Sequence, residues 1–243
     1  MHQCQNYLKQ LGFIDAIPAH FLNLNQANTA RSYLFDDASG LLFTAAVSIA
    51  DAIRGLRSGF YTWATVKLYY SVFYSARAAL ALKDVALIYK GTKPHTLKLL
   101  PGESLAKKSG TTHEVVLNAF CDSNPSSFYL SQTINQDKPL AWLRQKREEA
   151  NYKSPKATEP NAPSHFQRIV SIGVGKTLSA YLSMHGPQYA FEPDHAMLSY
   201  PLLFWQDTLK EARSRSLPEI SSDEIKFLKT AFQDDALRRI VEG

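Results

Sequence analysis

From Trp63 to Leu80 the residues Trp63, Val66, Tyr70, Phe73, Arg77 and Leu80 return at steps of three and four without exception. Only a helix, with about 3.6 residues per turn, puts such a series on one face, because a strand would repeat at every second position. The run therefore predicts a helix over about Phe60–Leu82 and a fold in which helices pack on helices. It also turns a charged residue, Arg77, toward the interior.

The same periodicity extends along most of the chain. It predicts a short helix at Gln3–Leu11, a connection through Pro18, a second short helix at Asn25–Leu34, and a long amphipathic run, Leu41–Leu56, that starts after Ser39 and ends near Gly59. Val85–Gly110 breaks the pattern with Gly91, Pro94, Pro101, Gly102 and Gly110, so it reads as an irregular insertion with room for a small hairpin. Thr111 or Thr112 caps a helix over His113–Phe120, and Pro125–Ser127 starts another short one. Pro139 suits the first turn of a helix that carries Leu140, Leu143, Arg147 and Ala150 on one stripe, a second inward arginine.

Asn151–Pro163, punctuated by Pro155, Pro160 and Pro163, reads as a linker. Three further helices are expected at about Phe166–Met184, His195–Arg215 and Ser222–Val241, the last opened by Ser221 and Glu224 at capping-box spacing. Tyr181, Tyr189, Phe191, Tyr200, Phe204 and Trp205 give this part enough aromatic surface to pack on the preceding helices or to meet a partner. The expected fold class is all-α. The expected organisation is an N-terminal helical arm (1–37), a central helical part (38–153) with an inserted loop (84–111), a linker (154–163) and a C-terminal helical extension (164–243).

With 243 residues, 45% of them hydrophobic, such a chain can bury a core without disulfides or a structural metal. Cys4 and Cys121 are its only cysteines, which supports neither a disulfide framework nor a cysteine zinc site and suits a reducing compartment. The first residues lack a basic segment leading into an apolar run. The apolar windows Leu41–Ile53 and Tyr61–Leu82 are interrupted by Asp51 or by Lys67 and Arg77, so a cytoplasmic protein without membrane attachment is expected. No cofactor is expected.

Charge is unevenly spread. Between Ile53 and Lys108 ten basic residues stand against Asp84 and Glu103, so this stretch carries +8 while the whole chain carries +5. Such local basicity attracts phosphate backbones by releasing their counterions, although solvated lysines on an ordinary loop give the same count. Lys90, Lys93, His95, Lys98, Lys107 and Lys108 are the candidate nucleic-acid contacts.

Two motif-like stretches carry less. Gly173-Val174-Gly175-Lys176-Thr177 has the end of a phosphate loop, but Val170 stands where its first glycine belongs, so the glycines read as close helix-packing positions. Glu192-Pro193-Asp194-His195 lacks a second histidine at helical spacing and reads as a helix entry capped by Asp194, with no metal site.

The stretch Ala64-Thr65-Val66-Lys67-Leu68-Tyr69-Tyr70-Ser71-Val72-Phe73-Tyr74-Ser75-Ala76-Arg77-Ala78-Ala79-Leu80 resembles the second helix of HEPN domains, whose pattern is YYAxFHxARALL-like. Thr112-His113-Glu114-Val115-Val116 through Phe120 and Leu143-Arg144-Gln145-Lys146-Arg147-Glu148-Glu149-Ala150-Asn151-Tyr152 follow in the family's order. The resemblance implies an up-and-down helical bundle that commonly dimerises, in toxin–antitoxin, phage-defence and RNA-processing proteins. Many such proteins are metal-independent ribonucleases in which an arginine, then four to six residues, then a histidine serve phosphate-charge stabilisation and proton transfer.

Here the pattern departs. With four residues between them, Arg147 is followed by Tyr152, whose side-chain type has an ordinary pKa of about 10 and is a poor base at neutral pH. No arginine in the chain has a histidine at the required spacing. The expectation is therefore a nucleic-acid- or partner-binding component of a defence or toxin–antitoxin-like system, as a homodimer or with a partner protein. The alternatives are a ribonuclease using Arg77, His113, Arg147 and Tyr152, with His113 facing both arginines, or a structural subunit that meets an acidic protein. Asp51 or Glu149 pairing with the two arginines is the structural alternative to any such role.

Overall fold

The computed structural model describes residues 2–15, 20–153, 155–183, 190–218, 220–232 and 235–242. The Pro18 connection, the expected helix end at Met184 and the aromatic Tyr189 lie outside the described residues. The chain is largely helical: α1 (Gln3–Gln10), α2 (Leu24–Arg57), α3 (Tyr61–Leu82), α4 (Thr112–Ser123), α5 (Phe128–Ser131), α6 (Pro139–Glu148), α7 (Gln167–Ile172), α8 (Val174–Ser183), α9 (Ala196–Ser214), α10 (Ser222–Phe232) and α11 (Asp235–Glu242). The all-α expectation needs one correction. Strands β1 (Val85–Lys90), β2 (Lys93–Lys98) and β3 (Ala106–Lys107) form an antiparallel sheet in the order β1-β2-β3, where the glycine- and proline-rich stretch left room for a hairpin.

Three other expectations change. The helices expected at Asn25–Leu34 and Leu41–Leu56 are one 34-residue helix, since Ser39-Gly40 is simply run through. A glycine inside a helix costs about 1 kcal/mol relative to alanine, a cost that burial of Ala38, Leu41 and Leu42 around Gly40 offsets. Phe166–Met184 is split by Gly173, whose φ of +96° no helix contains. A side chain added at Gly173 or Gly175 would meet nothing within 4 Å among the described residues, so the expected close packing at these glycines is not seen there. Ser222–Val241 is likewise two helices, although its capping box is present, with Ser221 N donating to Glu224 Oε2 at 2.9 Å and Glu224 N to Ser221 Oγ at 3.3 Å.

The fused α2 is also the one described helix long and apolar enough, over an 18-residue window, to cross a membrane by length and composition. Half of that window is buried in the protein, as in the core helix of a folded domain.

The chain divides into two compact units stitched from separate stretches: Met1–Leu42, Phe73–Asn124 and Thr208–Glu219 form the first, and Phe43–Val72, Pro125–Asp207 and Ile220–Gly243 the second. In the first, Asp37 of α2 caps α1 by accepting from Gln3 N at 2.8 Å and Cys4 N at 3.1 Å. Burial, assisted by the nearby Asp37 charge, pushes the Cys4 thiol up to about 12, so this cysteine is held as an inert core group. Gln5 of α1 covers the outer edge of β1 by accepting from Tyr89 N at 3.0 Å, which blunts an edge otherwise open to pairing. Arg31 pins the turn from α3 into β1, donating to Asp84 Oδ1 at 2.8 Å and to Leu99 O at 3.0 Å. Arg215 does the same for the end of α3 by donating to Leu82 O at 2.7 Å.

The second unit is built around aromatic rings. Tyr129 of α5 lies 4.9 Å from Phe204 and 5.3 Å from Tyr200, both on α9, and its hydroxyl donates to Asp207 at 2.6 Å. Trp205, fully buried, packs in a tilted arrangement 6.0 Å from Phe232 of α10. Two polar devices join in. Glu159 accepts from Thr62 N at 2.8 Å at the start of α3, and His165 Nε2 lies 2.9 Å from Thr65 Oγ1.

His165 makes the unit acid-sensitive. Burial, helped by the Lys146 charge, pulls its imidazole down to about 4. The folded value lies below the unfolded value of about 6.5, so the unfolded chain takes the proton first as pH falls. The stability contribution is intact above about pH 6.5 and is lost on the way to pH 4, by roughly 3 kcal/mol. Urea midpoints measured across this window are expected to fall more steeply for the natural chain than for His165→Gln. Parallel slopes for the two proteins would show that His165 is not the sensor.

Candidate nucleic-acid interface

Strand pairing decides which basic residues act together. Residues directly opposite in an antiparallel pair share a face, and faces alternate along each strand. The pairs Lys90↔Lys93, Ile88↔His95, Ala86↔Leu97 and His95↔Lys107 therefore place Lys90, Lys93, His95 and Lys107 on one face with Ala86, Ile88 and Leu97. The apolar end of this face is core, with Ala86, Ile88 and Leu97 each 1% exposed, while Lys93 and Lys107 at the other end are open to solvent. Lys98 points to the opposite face. Lys108 follows β3, held by its backbone N–H donating to Pro94 O at 3.0 Å.

The basic end of this face borders a cleft of about 170 Å³ lined by Phe13, Ile14, His20, Lys90, His95 and Lys107. None of the described residues lining it is acidic. His95 is buried, and its Nδ1 lies 3.0 Å from Lys93 O. A carbonyl only accepts, so Nδ1 carries the hydrogen. Phe13 and His20, which also line the cleft, meet edge to face at 6.5 Å. Cations and a ring edge around a small hollow are suited to a phosphodiester and its sugar. Sequence reading missed Phe13 and His20, because nothing local marks residues of an early connection as neighbours of a strand some 75 positions later.

The four residues considered for catalysis form two groups. Arg77 and His113 belong to the first unit and share the ring of Phe73: the guanidinium carbon lies 5.9 Å from its centroid and the imidazole 4.4 Å. Arg77 also donates from Nη2 to His2 Nε2 at 2.8 Å, and His2 Nδ1 faces Asp37 at 3.7 Å. Because arginine only donates, His2 accepts through Nε2 and turns its N–H toward the carboxylate. Burial pulls the Arg77 pKa below its ordinary value, with Tyr89 and Asp37 opposing.

Arg147 and Tyr152 belong to the second unit. Arg147 is buried, with its guanidinium carbon 4.9 Å from the Tyr69 ring and 5.9 Å from that of Tyr152, and its Nε has no hydrogen-bond partner among the described residues. Burial raises the Tyr69 pKa, and Arg147 is the main opposing influence. Tyr152 is 74% exposed and not a core residue, because α6 gives way to a π-helical turn over Glu149–Lys153. The wider turn rotates the side chains after Arg147 off the buried stripe.

The expected carboxylate partners are engaged elsewhere. Asp51 pairs with Arg54 at 2.9 Å and Lys67 at 3.1 Å, and Glu149 with Lys146 at 2.8 Å. The inward arginines are met by aromatic rings and a histidine instead.

His195 stacks on Tyr181 at 5.4 Å, and Asp194 does not cap α9, since its buried Oδ1 lacks a hydrogen-bond partner among the described residues. Among the described residues no group of three or more His, Cys, Asp or Glu could hold a metal ion. Comparison with protein-family models, with curated proteins and with solved structures found no match in any of the three.

Proposed function

We propose that this chain is a nucleic-acid-binding module, without catalysis by an arginine–histidine pair at HEPN spacing, that serves in a bacterial defence or toxin–antitoxin-like system. The observation that carries the binding role is the sheet register, which gathers Lys90, Lys93, His95 and Lys107 on one face beside the cleft of Phe13 and His20. The system assignment rests on the sequence resemblance of Ala64–Leu80, Thr112–Phe120 and Leu143–Tyr152 to HEPN helices. Binding of an unstructured RNA, followed by fluorescence anisotropy, is expected at low salt and is expected to weaken steeply as salt rises. Absence of binding at low salt would leave the structural-subunit reading in its place.

One observation favours a second reading, a metal-independent ribonuclease: Arg77 and His113 share the Phe73 ring. That reading requires RNA cleavage in EDTA that disappears in His113→Ala. RNA that is bound but left whole supports the non-catalytic module.

A further inference from the structure

Trp63 and Phe60 are two neighbouring exposed aromatics of the second unit. They are 62% and 59% exposed at the start of α3, where a chain rich in buried aromatics had ample core to place them in. Local geometry holds them there. Helix α2 ends in a Schellman motif, with Phe60 N donating to Gly55 O at 2.8 Å and Gly59 N to Leu56 O at 3.3 Å, and with Gly59 at φ +78°. A side chain at Gly55 would meet Phe60 O at 3.3 Å, so the glycine admits the close approach. Phe60, Trp63 and Lys67 then follow at steps of three and four, which lines them along one face.

That face walls a cleft of about 280 Å³ shared with Asp51, Arg54, Gly55 and Ser58 of the α2 end. Two cations stand there against one carboxylate, Asp51. Partial burial pulls the Asp51 carboxyl upward, but its hydrogen bonds and charge pairing with Lys67 and Arg54 outweigh that and hold it below the usual range. Arg54 and Lys67 are about half exposed, and ion pairs of this kind contribute little, so both can turn to an incoming anion. A cationic ligand meets two positive neighbours and is disfavoured. The backbone amide of Thr62 at the helix start is already taken by Glu159, which leaves the side chains to hold a phosphate.

We infer that this cleft is a stacking site for an unpaired nucleobase of a single-stranded nucleic acid, with the base on Trp63 and Phe60 and its phosphate on Arg54 and Lys67. The inference rests on the nucleic-acid-binding reading above and adds that the strand must be single. A duplex keeps its bases stacked on one another and cannot offer a face to Trp63.

The other two tryptophans report on nothing at the surface, since Trp142 and Trp205 are 3% and 0% exposed. Quenching of tryptophan emission by added ligand therefore reads Trp63. Titration of the full chain with oligouridylate is expected to quench the exposed component and to protect it from acrylamide. Trp63→Leu is expected to abolish the response and to weaken oligouridylate binding about tenfold, while Trp63→Phe keeps most of the affinity. Circular dichroism checks that both variants stay folded, as substitution of an exposed side chain should allow.

Oligouridylate that binds by anisotropy with Trp63 emission unchanged overturns the stacking site and leaves the binding module standing. Equal quenching by duplex RNA overturns the single-strand requirement. No binding of any RNA at low salt overturns the module itself and this site with it.

Discussion

Reversing the three lysines on the shared sheet face, as Lys90→Glu, Lys93→Glu and Lys107→Glu together, is expected to weaken binding of an unstructured RNA by about 500-fold at 50 mM salt. The estimate follows from counterion release. Each phosphate neutralised on a single strand contributes roughly 0.7 to the slope of log affinity against log salt, so three contacts supply about 2.7 decades at that ionic strength. The converted free energy is about 3.7 kcal/mol. Lys93 and Lys107 are exposed and Lys90 half-buried, so the fold should survive, which a thermal melt checks. Reversal of Lys98, which lies on the opposite face of β2, is expected to change affinity far less. Equal losses from Lys98 and from the shared-face lysines would mean that overall charge, not the face, governs binding.

The second large effect is on stability. Trp205 of α9 is fully buried and packs on Phe232 of α10, so Trp205→Ala removes an indole from a close-packed site and leaves a gap. Truncations of this kind cost about 3–5 kcal/mol, a large share of the roughly 5–15 kcal/mol by which domains are stable. Urea unfolding is expected to show a midpoint lowered accordingly with the slope preserved. A loss below about 1 kcal/mol would mean that the aromatic cluster of the second unit is not its core.

What was legible beforehand follows from how local each signal is. Helices α3 and α9 are readable from apolar periodicity alone, and α4 and α6 because a periodic apolar stripe and a cap or a first-turn proline lie within a few residues of one another. Thr111 and Glu114 form the capping box that opens α4, and Pro139 stands in the first turn of α6. Helix α2 was misread because Ser39-Gly40 looks like a boundary, and only tertiary burial of Ala38, Leu41 and Leu42 shows that the helix continues. Gly173 misled in the opposite direction, since an isolated glycine is tolerated in a helix and its positive φ is not written in its neighbours.

The candidate site divides the same way. The excess of lysine between Ile53 and Lys108 was plain in the sequence, but which lysines cooperate depends on the pairing of β1 with β2 and of β2 with β3. The inward orientation of Arg147 was read correctly from its stripe, whereas its partners were not. Charge pairing suggested Glu149, yet the π-helical turn after Glu148 and the buried ring of Tyr69 make aromatic contact the local solution. Trp63 was assigned to the inward stripe by its spacing alone and stands in solvent. Helix α3 is buried over most of its circumference, so a single stripe could not distinguish its one strongly exposed position.

The most direct test of the binding role is the salt dependence of RNA affinity for the natural chain and the triple lysine variant, measured side by side. The natural chain should give a slope of log affinity against log salt of about −2 or steeper, and the variant a slope shallower by about 2. A salt-independent affinity, or the same slope for both proteins, would contradict a nucleic-acid interface built on Lys90, Lys93 and Lys107.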